Sequence, residues 1–308
     1  MKIEISKTLK TKPYYWYFYN SLKHCASDSL VEIDMPVNEP YIELCYFDGT
    51  PVFVDLRDDL APSATYRDFS AHSIILKANY STELYDNPPV GFEYDNPTWL
   101  DEVRPQMRPF MLGRTCSPTT TYNDLHKYFS RDIPIHKVVS YSGEGLTQLS
   151  TDSRLKVYQL IHDTFPKKSD LRFIHKSHFK GDIKDTKFNY TDSMALEDYY
   201  KFLSTGQYIL NFPGIAGSQP FRIVDAVMVG RGCVSTKIYH DLYKSFPCIQ
   251  LPICGYTGIG DWKLAKTNLQ LATIDGFSEK SRIKTREWYS WFFSADGMFK
   301  NQIMVHLK

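Results

Sequence analysis

Between Lys137 and Ser235 apolar runs and amphipathic segments alternate without interruption, and this pattern restricts the chain to few folds. Strand patterns fall at 137–142, 171–175, 207–211 and 232–235, with helix patterns at 152–164, 193–204 and 219–229 between them. Strands joined through helices must run parallel, and their crossovers take the right-handed course. The expectation is an α/β fold with a parallel sheet.

Within that run, Tyr208-Ile-Leu-Asn-Phe-Pro-Gly214 reads as a strand entering a glycine-bearing loop, and Gly217-Ser-Gln-Pro-Phe-Arg222 as the entry to the next helix. Ser218, Gln219 and Pro220 are residue types that cap and start helices, so free backbone N–H groups face the loop. That is an anion site. Arg222 and Asp225 are three apart on the first turn and share a face. A guanidinium for phosphate oxygens and a carboxylate for sugar hydroxyls suit a nucleoside diphosphate.

The stretch resembles the C-terminal donor-binding signature of exostosin-like glycosyltransferases of the GT-B fold. The residues that carry the resemblance are Pro213, Gly214, Arg222, Asp225 and the strand Cys233-Val-Ser-Thr236. The family usually follows the helix with a Gly-Cys-hydrophobic-Pro-Val turn, whereas this chain has Gly230-Arg-Gly-Cys-Val-Ser235. The resemblance implies two Rossmann-like domains facing a central cleft, with a C-terminal helix crossing back to the first. It also implies an inverting, metal-independent transfer of a sugar, from a UDP-linked donor such as UDP-xylose, to a hydroxyl of a glycan or glycoprotein. No cofactor beyond the nucleotide-sugar co-substrate is expected.

The first half begins with sheet. Tyr41-Ile-Glu-Leu-Cys-Tyr-Phe and Pro51-Val-Phe-Val-Asp55 flank Asp48-Gly49, a strong hairpin signal. His72–Lys77 and Phe110–Gly113 read as further short strands. Prolines at 88, 89, 97, 105, 109 and 118 exclude long helices between them and suggest loops lining an acceptor surface. The polar segment Ser130–His136 marks a boundary, giving an acceptor-binding domain at 1–135 and a nucleotide-sugar-binding domain at 136–308. The tail 280–293, with Trp288, Trp291, Phe292 and Phe293, reads as an amphipathic helix able to return to the first domain.

Lys and Arg total 36 against 35 Asp and Glu, a net charge of +1 that offers no field for nucleic acid. No apolar run reaches the ~20 residues of a membrane span, and the first residues lack a signal-peptide pattern, so a cytoplasmic protein is expected. The six cysteines form no CxxC pair and read as reduced core residues. The nine histidines show no metal-ligand spacing, and no DxD element stands at a strand end. With 22 tyrosines the chain has rings to stack on sugars, although packing is the plainer explanation.

Further donor contacts are expected from Gly143 and Gly145 in the first glycine loop, from Arg154 on the following helix, and from His175 and Lys176 at a strand end. Each has a plainer alternative: a tight turn for the glycines, a solvated lysine, a satisfied histidine. One of Asp55, Asp58, Asp59, Asp68 and His72 is expected to be the general base, since all stand at or near strand ends of the first half. A carbohydrate-binding protein without catalysis is the alternative function.

Overall fold

The computed structural model describes residues 1–36, 39–57, 60–69, 73–88, 97–111, 128–143, 145, 147–174, 189–190, 194–213, 221–274 and 276–307. They form two six-stranded sheets. The first contains β1 (Ile3–Ser6), β2 (Leu30–Ile33), β3 (Ile42–Phe47), β4 (Thr50–Asp55), β5 (Ile74–Lys77) and β6 (Met107–Pro109), ordered β2-β1-β3-β4-β5-β6. The expected hairpin is present: Phe47 pairs with Thr50, and Asp48 and Gly49 both take positive φ, at 46° and 84°. That is the primed turn that matches strand twist. This antiparallel pair makes the sheet mixed, while β4, β5 and β6 run parallel. The last strand lies at Met107–Pro109; of the expected strand at 110–113, Phe110 and Met111 follow it as buried core residues and 112–113 lie outside the described residues.

The first half's helices are α1 (Trp16–Ala26), α2 (Thr82–Asp86) and α3 (Leu100–Val103). Those of the second half are α4 (Gln148–Thr164), α5 (Leu196–Ser204), α6 (Phe221–Met228), α7 (Trp262–Ile274) and α8 (Glu279–Trp288). They alternate with β7 (His136–Gly143), β8 (Ser169–Ile174), β9 (Asn189–Tyr190), β10 (Gly206–Asn211), β11 (Gly232–Thr236) and β12 (Cys248–Leu251). Every pairing in this sheet is parallel, in the order β12-β11-β10-β7-β8-β9. Counted from β7, this is the doubly wound 3-2-1-4-5-6 order read from the far edge, and its direction reverses between β7 and β10. The α/β expectation holds, and the second half is Rossmann-like.

After α8 the chain continues through Tyr289–Ile303 as wide helical turns that cross to the first half. There Tyr17 Oη of α1 donates to Phe292 O at 3.0 Å. Gln302 receives the Met111 N–H at 2.6 Å and donates to Phe292 O at 2.7 Å. Phe293, Met298 and Ile303 join Tyr17, Phe18 and Leu22 in one apolar cluster spanning both sheets. A second bridge follows β11, where the Asp241 carboxylate accepts from Thr82 N and Oγ1, both at 3.2 Å. Among the described residues no helix is long and apolar enough to cross a membrane.

Candidate functional site

In a doubly wound sheet, ligands bind beyond the carboxyl ends of the strands, where the strand order reverses. Here that point lies between the ends of β7 and β10, and two arginines meet there. Arg154 comes from α4. Its helix starts at Thr147, whose side chain accepts from Ser150 N while Ser150 returns the bond, a reciprocal cap. Arg154 Nη1 donates to Gly143 O at 2.7 Å, and its guanidinium lies 5.4 Å from the centre of the Phe212 ring. Arg222 comes from the first turn of α6, and its Nε donates to Tyr141 O at 2.7 Å. The two side chains thus anchor on the same strand end, two residues apart.

Burial, reinforced by the Arg222 charge, pushes Arg154 down to about 10. Two guanidiniums brought together in a partly buried place favour an anion between them. Among the described residues no carboxylate lies within ion-pair distance of Arg222.

The floor is polar as well. Asn211, at the end of β10, is fully buried, and its Nδ2 donates to Ser235 Oγ at 2.7 Å while its Oδ1 has no partner among the described residues. Thr236 Oγ1 at the end of β11 and Ser153 Oγ on α4 are likewise buried and unpartnered among the described residues. Gly255 lies on Thr236: a Cβ there would stand 2.5 Å from Oγ1. Buried polar atoms without partners are rare, and a ligand's hydroxyls or ring nitrogens would satisfy these.

In the glycine loop, Gly145 packs against the start of α4. Gly145 is buried, its N–H donates to Thr151 Oγ1 at 3.0 Å, and a Cβ would fall 1.8 Å from Ser150 Oγ. Only glycine lets the chain lie this close to the α4 cap. Pro213 is buried just past β10. Gly214, Ser218, Gln219, His175 and Lys176 lie outside the described residues, as do Asp58, Asp59 and His72.

Two expectations are overturned. Asp225 does not face the site. It is fully buried, and its carboxylate accepts from Tyr199 Oη at 2.5 Å and Tyr200 Oη at 3.0 Å on α5. The three-residue spacing from Arg222 is helical, but α6 is covered on this flank by α5, which captures the carboxylate for the core.

Asp55 is also structural. It is fully buried, with Lys77 Nζ at 2.8 Å, Arg57 Nη2 at 2.9 Å and Tyr66 Oη at 2.6 Å. Burial alone would raise its carboxyl; Lys77 and Arg57 outweigh that and hold it below the usual carboxylate range. A base so encased has no acceptor hydroxyl to reach. Asp68 is exposed on the turn Ala64–Phe69, beside Thr65, Arg67 and Glu102.

Sequence reasoning took in Asn211 and Thr236 only as members of strands and did not single out Ser153, because small polar residues at strand ends and in helices carry no pattern of their own. It also missed His240, which follows β11 and is buried between the halves, its ring 5.1 Å from that of Tyr243.

No protein-family model matches the sequence, and no curated protein matches it. Solved structures do match in shape. One is Anabaena HepE in complex with UDP and glucose, with 11% identity, 79% of this chain and 65% of that chain covered, and a TM-score of 0.47. A second is the catalytic domain of starch synthase IV from Arabidopsis thaliana bound to ADP and acarbose, at 10% identity, with 77% and 55% covered and a TM-score of 0.44. TarM gives 14% identity, 68% and 41% coverage, and a TM-score of 0.43. The chain spans between 41% and 65% of the lengths of these three structures. Independently of them, the strand order of this chain places two guanidiniums, and buried polar atoms that have no partner among the described residues, at the switch point of a Rossmann-like sheet.

Proposed function

We propose that the protein is a glycosyltransferase that takes its sugar from a nucleoside diphosphate donor bound at the carboxyl edge of the second sheet. The observation that carries this is the convergence of Arg154 and Arg222 on the end of β7. In this reading the two guanidiniums hold the diphosphate, and Asn211, Thr236 and Ser153 meet the hydroxyls or ring nitrogens of the nucleoside and sugar. An acceptor hydroxyl attacks the anomeric carbon from the face opposite the diphosphate. The bond from that carbon to the diphosphate oxygen breaks, the electron pair leaves with the nucleotide, and the hydroxyl proton passes to a base of the first half.

Catalysis would come mainly from charge stabilisation of the leaving group by preorganised cations. The exostosin-like resemblance favours a UDP-linked donor, inversion and independence from metal. The likeness in shape to structures holding UDP-glucose or ADP is in keeping with this reading. With Asp55 locked in the core, the base is sought at Asp68, Asp58, Asp59 or His72.

Calorimetric titration with UDP, GDP and CDP, in chelator, with the native protein and Arg222→Ala, tests the donor site. The expected result is binding of UDP that weakens with the substitution. Absence of binding to all three nucleotides would end the transferase reading in favour of a carbohydrate-binding protein.

A further inference from the structure

At the opposite, amino-terminal edge of the same sheet lies a second concentration of arginines. A cavity of about 460 Å³ is walled by Phe129, Arg131, Glu279, Arg282, Ile283 and Arg286. Arg286 stacks over the Phe129 ring at 5.1 Å. Phe129 in turn seats against Gly230, where a Cβ would lie 2.4 Å from the ring and φ is +69°. Beside it is Arg231, in the Gly230-Arg-Gly232 segment that departs from the exostosin-like pattern.

Arg231 is 1% exposed. Its Nε donates to Ser204 O at 2.9 Å, and its Nη2 to Asp132 O at 2.7 Å and Ser130 Oγ at 3.3 Å, the residues flanking Arg131. Its Nη1 has no partner, and no carboxylate stands within ion-pair distance among the described residues. Arg282 is similar: its Nη1 reaches Glu279 at 3.2 Å, but its buried Nε is unpartnered among the described residues. Burial and the Arg282 charge push Arg231 down to about 10, with the Asp132 charge opposing them only in part.

Three guanidiniums line one cavity, a fourth, Arg231, feels the Arg282 charge, and Asp132 and Glu279 offset only part of this positive charge. Glu279 is mostly exposed and, among the described residues, engages Arg282 alone. Planar forks of N–H groups match the oxygens of a tetrahedral oxyanion, which one carboxylate at the rim does not replace. We propose that this cavity is a second anion site that takes the phosphate group of a small molecule, separate from the donor edge. Arg131, Arg282 and Arg286 grip the phosphate, and Arg231 supplies charge from below.

Inorganic phosphate and methyl phosphate, titrated by calorimetry against chloride at matched ionic strength, test this. The proteins are the native chain, Arg222→Ala, Arg131→Ala/Arg286→Ala and Arg282→Gln. The double variant alters exposed side chains, so it keeps the fold even if Arg282→Gln does not. Native and Arg222→Ala proteins should bind alike and gain melting temperature with ligand, while the double variant loses affinity about ten-fold or more. Tighter binding of methyl phosphate than of phosphate identifies a monoester as the natural class; the reverse identifies the free ion. No binding by the native protein, or binding lost with Arg222→Ala and kept by the double variant, overturns the proposal.

Discussion

Asp55 and Lys77 are register partners on adjacent parallel strands, with Nζ 2.8 Å from Oδ2 and neither side chain exposed. Removing one member of such a pair leaves the other charge stranded in the core. Asp55→Ala should therefore cost about 3–5 kcal/mol, and Asp55→Ala/Lys77→Met should recover part of that loss. Denaturant unfolding of the two variants checks it; equal destabilisation in both would show that Lys77 does not depend on Asp55. The folded Asp55 carboxyl lies below its unfolded value. Its contribution is complete above the unfolded value of about 3.9 and is lost as pH falls through the folded one.

At the donor edge, Arg154→Ala and Arg222→Ala should each weaken UDP binding by about ten-fold to one hundred-fold, the range for a charge-assisted hydrogen bond. Arg154→Lys keeps the charge but loses the planar fork over Phe212, so it should not restore full affinity. Calorimetry reads all three. Affinities within error of the native protein would remove these side chains from the site.

Asp225→Asn separates core from site. It weakens two buried hydrogen bonds to Tyr199 and Tyr200 and should lower stability by about 1–3 kcal/mol, while UDP affinity stays unchanged. A selective loss of nucleotide binding with unaltered stability would return Asp225 to the ribose.

His240 gives a pH signature of its own. Burial pushes its imidazole down to about 4, and the neighbouring backbone of Phe110 and Ala78, with Asp241, offsets only part of that; Lys244 pushes the same way as burial. The unfolded chain takes up this proton near pH 6.5 and the folded chain only near 4, so stability falls as pH drops through that interval, by up to about 3 kcal/mol. Urea unfolding between pH 7 and 4 should show the slope, and His240→Gln should flatten it.

Gly145→Ala places a methyl into Ser150 and should cost about 1–3 kcal/mol by prising the loop from the α4 cap. Because that cap positions Arg154, UDP affinity should fall in parallel. Thermal unfolding alongside nucleotide titration would expose any uncoupling of the two.

Much of this architecture was legible because it is local. The Asp48-Gly49 turn, the strand ends near residues 143 and 211, and the helix carrying Arg222 all declare themselves within a few residues. The fates of Asp55 and Asp225 were not legible, because each is decided by a partner on another element: Lys77 by strand register, Tyr199 and Tyr200 by helix packing. Helix α1 was hidden for another reason. Its opening Trp16-Tyr-Phe-Tyr19 is rich in residues that favour strands, and only the core it fills makes it helical. The arginines of the amino-terminal edge come from segments far apart in sequence, so no motif joins them.

The crossing of Tyr289–Ile303 onto α1 also sets an order of events during synthesis. The first sheet leaves the ribosome early, but the aromatic face of α1 finds its cover only when the last turns arrive. Until then the Tyr17 hydroxyl lacks its acceptor at Phe292 and part of the α1 face is uncovered, although Phe18 already has Phe110 of its own half to pack on. The packing of α1 is therefore finished only by residues translated last, and exposed apolar surface of that kind is what promotes aggregation of partly made chains.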